Sequence, residues 1–114
     1  MPLDVFDRLL RPLRRGPVTS HYPNVPPDLA PASRGLPELD VIRCDGSASC
    51  VRVCPTGAID LSDSVWSIDA GACIFCGACA RACPRDAIRL GPLIELAVHD
   101  RADLTIARDW RAEP

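Results

Sequence analysis

Four cysteines in the second half of the chain have the spacing of iron–sulfur ligands. The pattern is C-x2-C-x2-C-x3-C-P, at Cys73, Cys76, Cys79, Cys83 and Pro84. Three thiolates on one tight loop can surround a cuboidal cluster, whereas a fourth on the helix that follows is carried towards a second cluster. The pattern therefore predicts one half of a two-cluster site.

An imperfect copy of this pattern lies 29 residues earlier in the chain. At that offset a run of residues in the first copy falls on counterparts in the second: Cys44, Ser47, Cys50, Cys54, Pro55, Ala58, Ile59 and Leu61 on Cys73, Cys76, Cys79, Cys83, Pro84, Ala87, Ile88 and Leu90. The copy differs at one ligand position, where serine replaces the second cysteine.

Exchange of the last cysteine between the two copies predicts two ligand sets. The second cluster is expected to be a [4Fe–4S] cluster held by Cys73, Cys76, Cys79 and Cys54. The first cluster is expected on Cys44, Cys50 and Cys83, with Ser47 as the candidate fourth ligand. All seven cysteines are thus assigned as metal ligands.

Ser47 leaves three interpretations of the first cluster open. Iron binds serine only after the hydroxyl is deprotonated, which costs far more than deprotonating a thiol of pKa about 8.5. Because bound iron lowers that cost, a serine-ligated [4Fe–4S] cluster is one interpretation. A [3Fe–4S] cluster needs only the three cysteines, and loss of the cluster is the third interpretation. Asp45 is a poorer substitute because it adjoins Cys44.

Composition and charge argue against several other classes of protein. The net charge is −2 and the basic residues, all arginine, are scattered along the chain, so we expect no nucleic-acid partner. No apolar run approaches the roughly 20 residues of a transmembrane segment, and Asp4 and Asp7 interrupt any signal-peptide core. We therefore expect a cytoplasmic protein, in which disulfides are uncommon. A structural zinc site would bring cysteine pairs from separated segments, unlike this pattern.

The chain divides by composition into three segments. Residues 1–43 contain eight of the twelve prolines and are predicted to form an amphipathic helix and a proline-rich docking strap. Residues 44–90 contain every cysteine and are predicted to be a two-cluster domain. Residues 91–114 are predicted to be a C-terminal docking tail.

The predicted N-terminal helix is basic and has one apolar face. It should run for about three turns and kink or end near Pro12; the apolar face is made by Leu3, Phe6, Leu9, Leu10 and Leu13. Such a face packs on the protein's own core, or lies on a membrane surface or a partner subunit.

Each copy of the motif predicts a ligand loop, a helix of one to two turns that ends at the proline, and a short strand. The strands are expected at residues 58–61 and 87–90, with partner strands at 39–42 and 65–68. Two such units related by a pseudo-twofold axis predict a small α+β fold. Trp66 is expected to pack on the strand between the units and Trp110 against a partner, whereas His21 and His99 receive no role.

The motif core resembles bacterial two-cluster ferredoxins. The chain outside it is most similar to the ferredoxin-like subunits of complex I and of group 4 membrane-bound nickel–iron hydrogenases, including formate hydrogenlyase. RRGPVTSHYPNVPPDLAPASRGLPELDVIRC is similar to the strap of that family, with its VT…YP…P…RG run. CIFCGACARACPRDAIRLGPLIELAVHDRADL is similar to its second motif and tail. The resemblance covers roughly residues 9–105 and departs at Ser47.

This resemblance implies an electron-transfer subunit with no catalytic residues of its own. Electrons would pass through the two clusters between other subunits of a hydrogenase-like or complex I-like oxidoreductase at the cytoplasmic face of a membrane. A free-standing ferredoxin with one [4Fe–4S] and one [3Fe–4S] cluster is the alternative. A structural or iron-sensing module is a third hypothesis, although two clusters are unnecessary for a structural staple.

Overall fold

The computed structural model describes residues 3–111, and side chains from residue 4 onwards. The chain forms two compact units, Met1–Ala30 and Pro31–Pro114.

The first unit contains one helix, α1, at Leu3–Arg15. Pro12 lies inside α1 and does not end it, so the prediction of a stop near Pro12 was wrong on that point. Asp7 supports the helix through an ion pair with Arg11 at 3.3 Å (Nε–Oδ2). The apolar side chains of Phe6, Leu9 and Leu13 are exposed within this unit. Residues 16–30 contain neither helix nor strand, as the proline density predicts.

The second unit contains two short helices and two antiparallel sheets. The helices are α2 at Ser49–Val53 and α3 at Ala78–Ala82. The strands are β1 at Pro37–Leu39, β2 at Ile59–Ser62, β3 at Val65–Asp69, β4 at Ile88–Leu90 and β5 at Thr105–Asp109. β1 pairs with β4, and β3 lies between β2 and β5. This arrangement is a small mixed fold of helices and sheets.

The elements recur at the offset of the cysteine motifs. α3 follows α2 by 29 residues, and the register pair Ile59–Ile68 corresponds to Ile88–Leu39. The predicted strand at 65–68 is observed as β3. The predicted strand at 39–42 was misplaced, because the chain turns after Leu39 and the strand lies before it.

The core lies between the two helices and the sheets. Trp66 and Ile68 on β3 are each only 1% exposed, and Ile59 and Ile88 pack beside them. Alternation along β3 places these two side chains on the buried face, since successive residues of a strand point to opposite faces. The prediction that Trp66 packs on a strand of the sheet therefore holds.

Part of the predicted C-terminal tail belongs to the second unit. Residues Arg101–Leu104 form a 3-10 helix, η1, which leads into β5 on the free edge of β3. Arg101 donates to both carboxylate oxygens of Asp69, at 2.6 and 2.8 Å. At the other end, Leu36 is buried and its backbone pairs with Leu93 and Gly91. The compact unit therefore extends past both boundaries predicted for the cluster domain.

Candidate iron–sulfur cluster sites

Each ligand loop starts at an aspartate that the sequence analysis overlooked. Asp40 accepts a hydrogen bond from Ile42 N–H at 3.1 Å, and Asp69 accepts one from Gly71 N–H at 2.9 Å. The backbone carbonyls of the same two aspartates accept from Cys44 N–H and Cys73 N–H, each at 3.1–3.2 Å. These turns direct the chain from β1 and β3 into the loops. Their recurrence at the motif offset was the available signal.

Left-handed backbone conformations recur at matching positions of the two loops. Gly46 and Phe75 have φ of 71° and 54°, and Ala48 and Gly77, which precede the short helices, have 58° and 75°. Residues other than glycine rarely adopt this conformation, and its cost is of order 1–3 kcal/mol. Two of the four positions nevertheless carry a side chain. Such positions concentrate where a loop has a binding task.

A cavity lined by four cysteines lies beside α3, and we call it the second site. Its thiols come from Cys73, Cys76 and Cys79 of the second motif and from Cys54 of the first. Pro37 also lines it, and the enclosed space is about 320 Å³. The structure thus brings together the four residues that the sequence assigns to the second cluster.

A matching cavity, the first site, lies beside α2. Its ligand candidates are Cys44, Ser47 and Cys50 of the first motif and Cys83 of the second. The enclosed space is about 300 Å³, so the serine has not caused this cavity to collapse. Asp45 and Trp66 also line the first site. Sequence analysis treated Trp66 as a packing residue only and did not predict this position.

Both exchanged cysteines are held by the same backbone contact. Ala58 N–H donates to Cys54 Sγ and Ala87 N–H donates to Cys83 Sγ, each at 3.3 Å. In the second loop, Phe75 N–H donates to Cys73 Sγ at 3.4 Å. Hydrogen bonds to ligating sulfur orient it and tune a bound cluster.

The loop backbones are also held from outside by arginines. Arg52 donates to Ser47 O at 3.1 Å, and Arg81 donates to Cys76 O at 3.2 Å, again one motif offset apart. Arg34 adds a second contact to Cys76 O at 3.3 Å. Each guanidinium therefore fixes the residue in the second ligand position, whether that residue is serine or cysteine.

Burial controls the protonation of most of these thiols. It raises the pKa of Cys50, Cys73 and Cys79, because a thiolate is poorly solvated there. At Cys54 burial also acts upwards, but hydrogen bonds from Thr56 and from Ala58 N–H outweigh it and lower the pKa. Metal ions bind the thiolate, so occupation of these sites releases protons.

Ser47 is engaged by its neighbours in the first loop. Its backbone N–H donates to Asp45 Oδ1 at 3.0 Å, and its Oγ lies 3.4 Å from Ser49 Oγ. The pKa of Asp45 is lowered by hydrogen bonds from Ser47, the backbone N–H first and then the hydroxyl. The carboxylate therefore stabilises the protonated form of the Ser47 hydroxyl.

The donor set fits iron–sulfur clusters better than a single metal ion. Among the residues that the structure describes, which include every cysteine, no three side chains of His, Cys, Asp or Glu converge on a position for one ion. A cubane instead takes one cysteine on each iron, so its ligands stand around a larger body. Two thiol-lined cavities with backbone donors on sulfur have that arrangement.

The remaining predicted residues have no place in the sites. His21 and His99 are exposed. Trp110, which was predicted to contact a partner, packs against the protein's own core and over the first loop. A Cβ on Gly46 would lie 2.6 Å from Cη2 of Trp110, so this position needs glycine for space as well as for its φ.

Comparison with known proteins gives the same family for the motif region. Residues 42–87 match the family model described as a 4Fe-4S dicluster domain. The chain is 34% identical over 120 aligned positions to NADH-quinone oxidoreductase subunit I 2 of Streptomyces coelicolor, covering 88% of this chain and 61% of the relative. It is also 34% identical over 111 positions to NAD(P)H-quinone oxidoreductase subunit I of Gloeobacter violaceus, covering 88% and 51%.

A solved structure shares the fold. It is a chain of the membrane-bound sulfane sulfur reductase, an archaeal respiratory membrane complex, with a TM-score of 0.70 and 32% sequence identity. The match covers 84% of this chain and 55% of that one. The chain thus spans little more than half the length of the relatives it matches. None of its described helices has the length and apolar character needed to cross a membrane. The chain carries a 4Fe–4S dicluster domain and is homologous to subunit I of the quinone oxidoreductases.

Proposed function

We propose that this protein is an electron-transfer subunit that relays electrons through two iron–sulfur clusters within a complex I-like or hydrogenase-like oxidoreductase. The observation that carries the proposal is the pair of thiol-lined cavities in one compact unit, each combining three ligand positions of one motif with the last cysteine of the other. An iron–sulfur cluster supplies one-electron redox chemistry when it is bound. The protein holds the two positions at a fixed separation.

The ligand assignment follows the lining of the two cavities. Cys54, Cys73, Cys76 and Cys79 would hold a [4Fe–4S] cluster in the second site. Cys44, Cys50 and Cys83 would hold the cluster of the first site. The Cys50 and Cys79 sulfurs, one from each site, are near enough to interact electrostatically. Two short helices in mutual contact therefore separate the two sites.

For the first site we propose a [3Fe–4S] cluster held by the three cysteines. The Asp45 carboxylate stabilises the protonated hydroxyl of Ser47, which opposes the alkoxide that iron ligation requires. Asp45 lines the same cavity, and its negative charge disfavours a second anionic oxygen beside it. A serine-ligated [4Fe–4S] cluster is the alternative.

The partners are proposed from the extent of the homology. Similarity to the two subunit I relatives covers 88% of the chain, whereas the dicluster domain covers only residues 42–87. Similarity in the surroundings of a ferredoxin core is expected of a docked subunit and is unnecessary for a free carrier. We therefore propose peripheral attachment to a membrane complex at the cytoplasmic face. The exposed apolar side chains of α1 and residues 16–30 would contact other subunits.

The test is anaerobic affinity purification of the tagged full-length chain from its native host. Recovery of hydrogenase-like or complex I-like subunits supports the proposal, and recovery of the chain alone supports a free-standing ferredoxin. A variant lacking residues 1–30 is the matched control, because Leu36 and its backbone pairing remain in place. It should retain cluster absorption and lose the partners. Loss of both clusters in this variant would contradict an external role for the segment.

A further inference from the structure

The indole N–H of Trp66 is a buried donor without a partner. Trp66 is 1% exposed, and its Nε1 makes no hydrogen bond to any described residue. Leaving a buried donor unsatisfied costs about 1–3 kcal/mol, and buried indoles usually find an acceptor. A donor in this position therefore indicates an acceptor that belongs to the site.

The first site is where that acceptor would lie. Trp66 lines this cavity together with Cys50. Burial raises the pKa of the Cys50 thiol, and the Trp66 indole is the leading influence acting in the opposite direction. The indole N–H therefore faces the Cys50 sulfur although it forms no bond of ordinary geometry with the thiol. Sulfur with a larger negative charge is a better acceptor for the same donor.

The second site has no equivalent donor at the matching described position. Pro37 on β1 occupies the position that corresponds to Trp66 on β3, since Pro37 pairs with Leu90 as Trp66 pairs with Leu61, one motif offset apart. Pro37 also lines the second cavity. Proline has neither a polar side chain nor a backbone N–H. The two sites therefore differ by one buried hydrogen-bond donor in otherwise matching positions.

We propose that Trp66 is a potential-setting residue of the first site, where its indole N–H donates to the Cys50 thiolate or an adjacent cluster sulfide. This inference rests on the proposed occupation of the first site by a cluster. Reduction adds one electron to the cluster and increases the negative charge on its sulfurs. A fixed donor therefore stabilises the reduced state more than the oxidised state and raises the reduction potential of the first cluster.

The first test is a redox titration of both clusters in full-length Trp66→Phe, followed by electron paramagnetic resonance. Phenylalanine retains an apolar ring and removes the N–H. We expect the reduction equilibrium of the first cluster to become about tenfold less favourable, which is about 59 mV for one electron, while the second cluster is unaffected. Trp110→Phe is the matched control, because that buried indole packs over the same loop without lining either cavity. A fall in potential in both variants, or in neither, would overturn the inference.

A second measurement does not depend on any variant folding. Protein carrying nitrogen-15 in the indole of tryptophan should show a hyperfine coupling between that nitrogen and the first cluster in its paramagnetic state. The coupling should persist in Trp110→Phe and so identify Trp66. Its absence from a protein with two assembled clusters would sink the role of Trp66 and leave electron transfer intact. Iron counts for a single cluster in the unaltered protein would overturn the two-cluster function and this inference together.

Discussion

The first and second sites share a backbone plan and differ in the side chains that enter the cavities. Both follow an aspartate turn, both use left-handed residues before a short helix, and both hold the exchanged cysteine through the same backbone N–H. The cavities differ at three matched positions: Ser47 against Cys76, Asp45 against Ile74, and Trp66 against Pro37.

This difference shows that the contacts that shape the loop are separate from the residues that enter the cavity. Arg52 donates to the carbonyl of Ser47 just as Arg81 donates to that of Cys76, because a backbone oxygen is present whatever the side chain. One loop can therefore change its ligand and its donors without losing its shape. A duplicated backbone with unequal side chains is a way to give two redox centres unequal properties.

The exchange of cysteines should produce the largest effect. We expect Cys54→Ala to destroy the cluster of the second site and Cys83→Ala to destroy that of the first, because each sulfur lines the cavity of the other motif. Iron and sulfide counts with paramagnetic resonance of each variant measure this. Damage confined to the cluster of a variant's own motif would show that the cavities do not report ligation.

Restoring the missing thiol should remove one difference between the sites. We expect the unaltered protein, prepared anaerobically, to contain seven irons, the sum of a three-iron and a four-iron cluster, on the cysteine ligands proposed for the two sites. Ser47→Cys should gain the eighth iron and lose the signal of an oxidised three-iron centre. Ser47→Ala is the control and should behave like the unaltered protein. Eight irons before any substitution would instead make the Ser47 oxygen a ligand.

The two sheets can be compared through matched core residues. Ile68 on β3 is 1% exposed, whereas its counterpart Leu39 on β1 is only partly buried. We expect Ile68→Ala to lower the free energy of unfolding by about 2–5 kcal/mol and Leu39→Ala to lower it by less, because a smaller apolar surface is lost. Anaerobic thermal denaturation followed by circular dichroism measures both. Equal losses would show that the extra strand β5 does not deepen the core at β3.

The smallest effect should come from the ion pair on the three-stranded side. The Arg101 guanidinium, by donating to Asp69, holds the pKa of that carboxyl below its usual value of 3.8. A lowered carboxyl pKa contributes stability above 3.8 that is lost as the pH falls through the folded-state pKa. Asp69→Asn should therefore lower the Tm at neutral pH, and the difference should shrink in acid.

The matched control for this ion pair is Arg101→Gln. This change removes the guanidinium and leaves the hydrogen bond from Gly71 N–H to Asp69 in place. It should reproduce the part of the Asp69→Asn effect that comes from the ion pair alone. A Tm difference that stays constant from neutral pH into acid would show that the carboxylate charge contributes nothing to stability.

The sequence predicted the cluster chemistry because thiol spacing is a local property. Three cysteines within seven residues, repeated at a fixed offset, restrict the loop to shapes that wrap one body, and the proline after each last cysteine ends the short helix. The proline-rich segment was equally readable, since residues 16–30 have few backbone donors to offer a helix or sheet. The strand pairs were predicted to within a few residues.

Tertiary structure decided the features that depend on residues far apart in the chain. β5 pairs with β3 across a long intervening segment, so the sequence pattern of the tail alone could not place it on that sheet. The same holds for Trp66, whose apolar neighbours predict a buried strand but do not reveal that its indole nitrogen reaches the first cavity unpartnered. Local spacing fixes which atoms can bind iron, whereas packing between distant segments fixes which donors surround them and how much water is excluded.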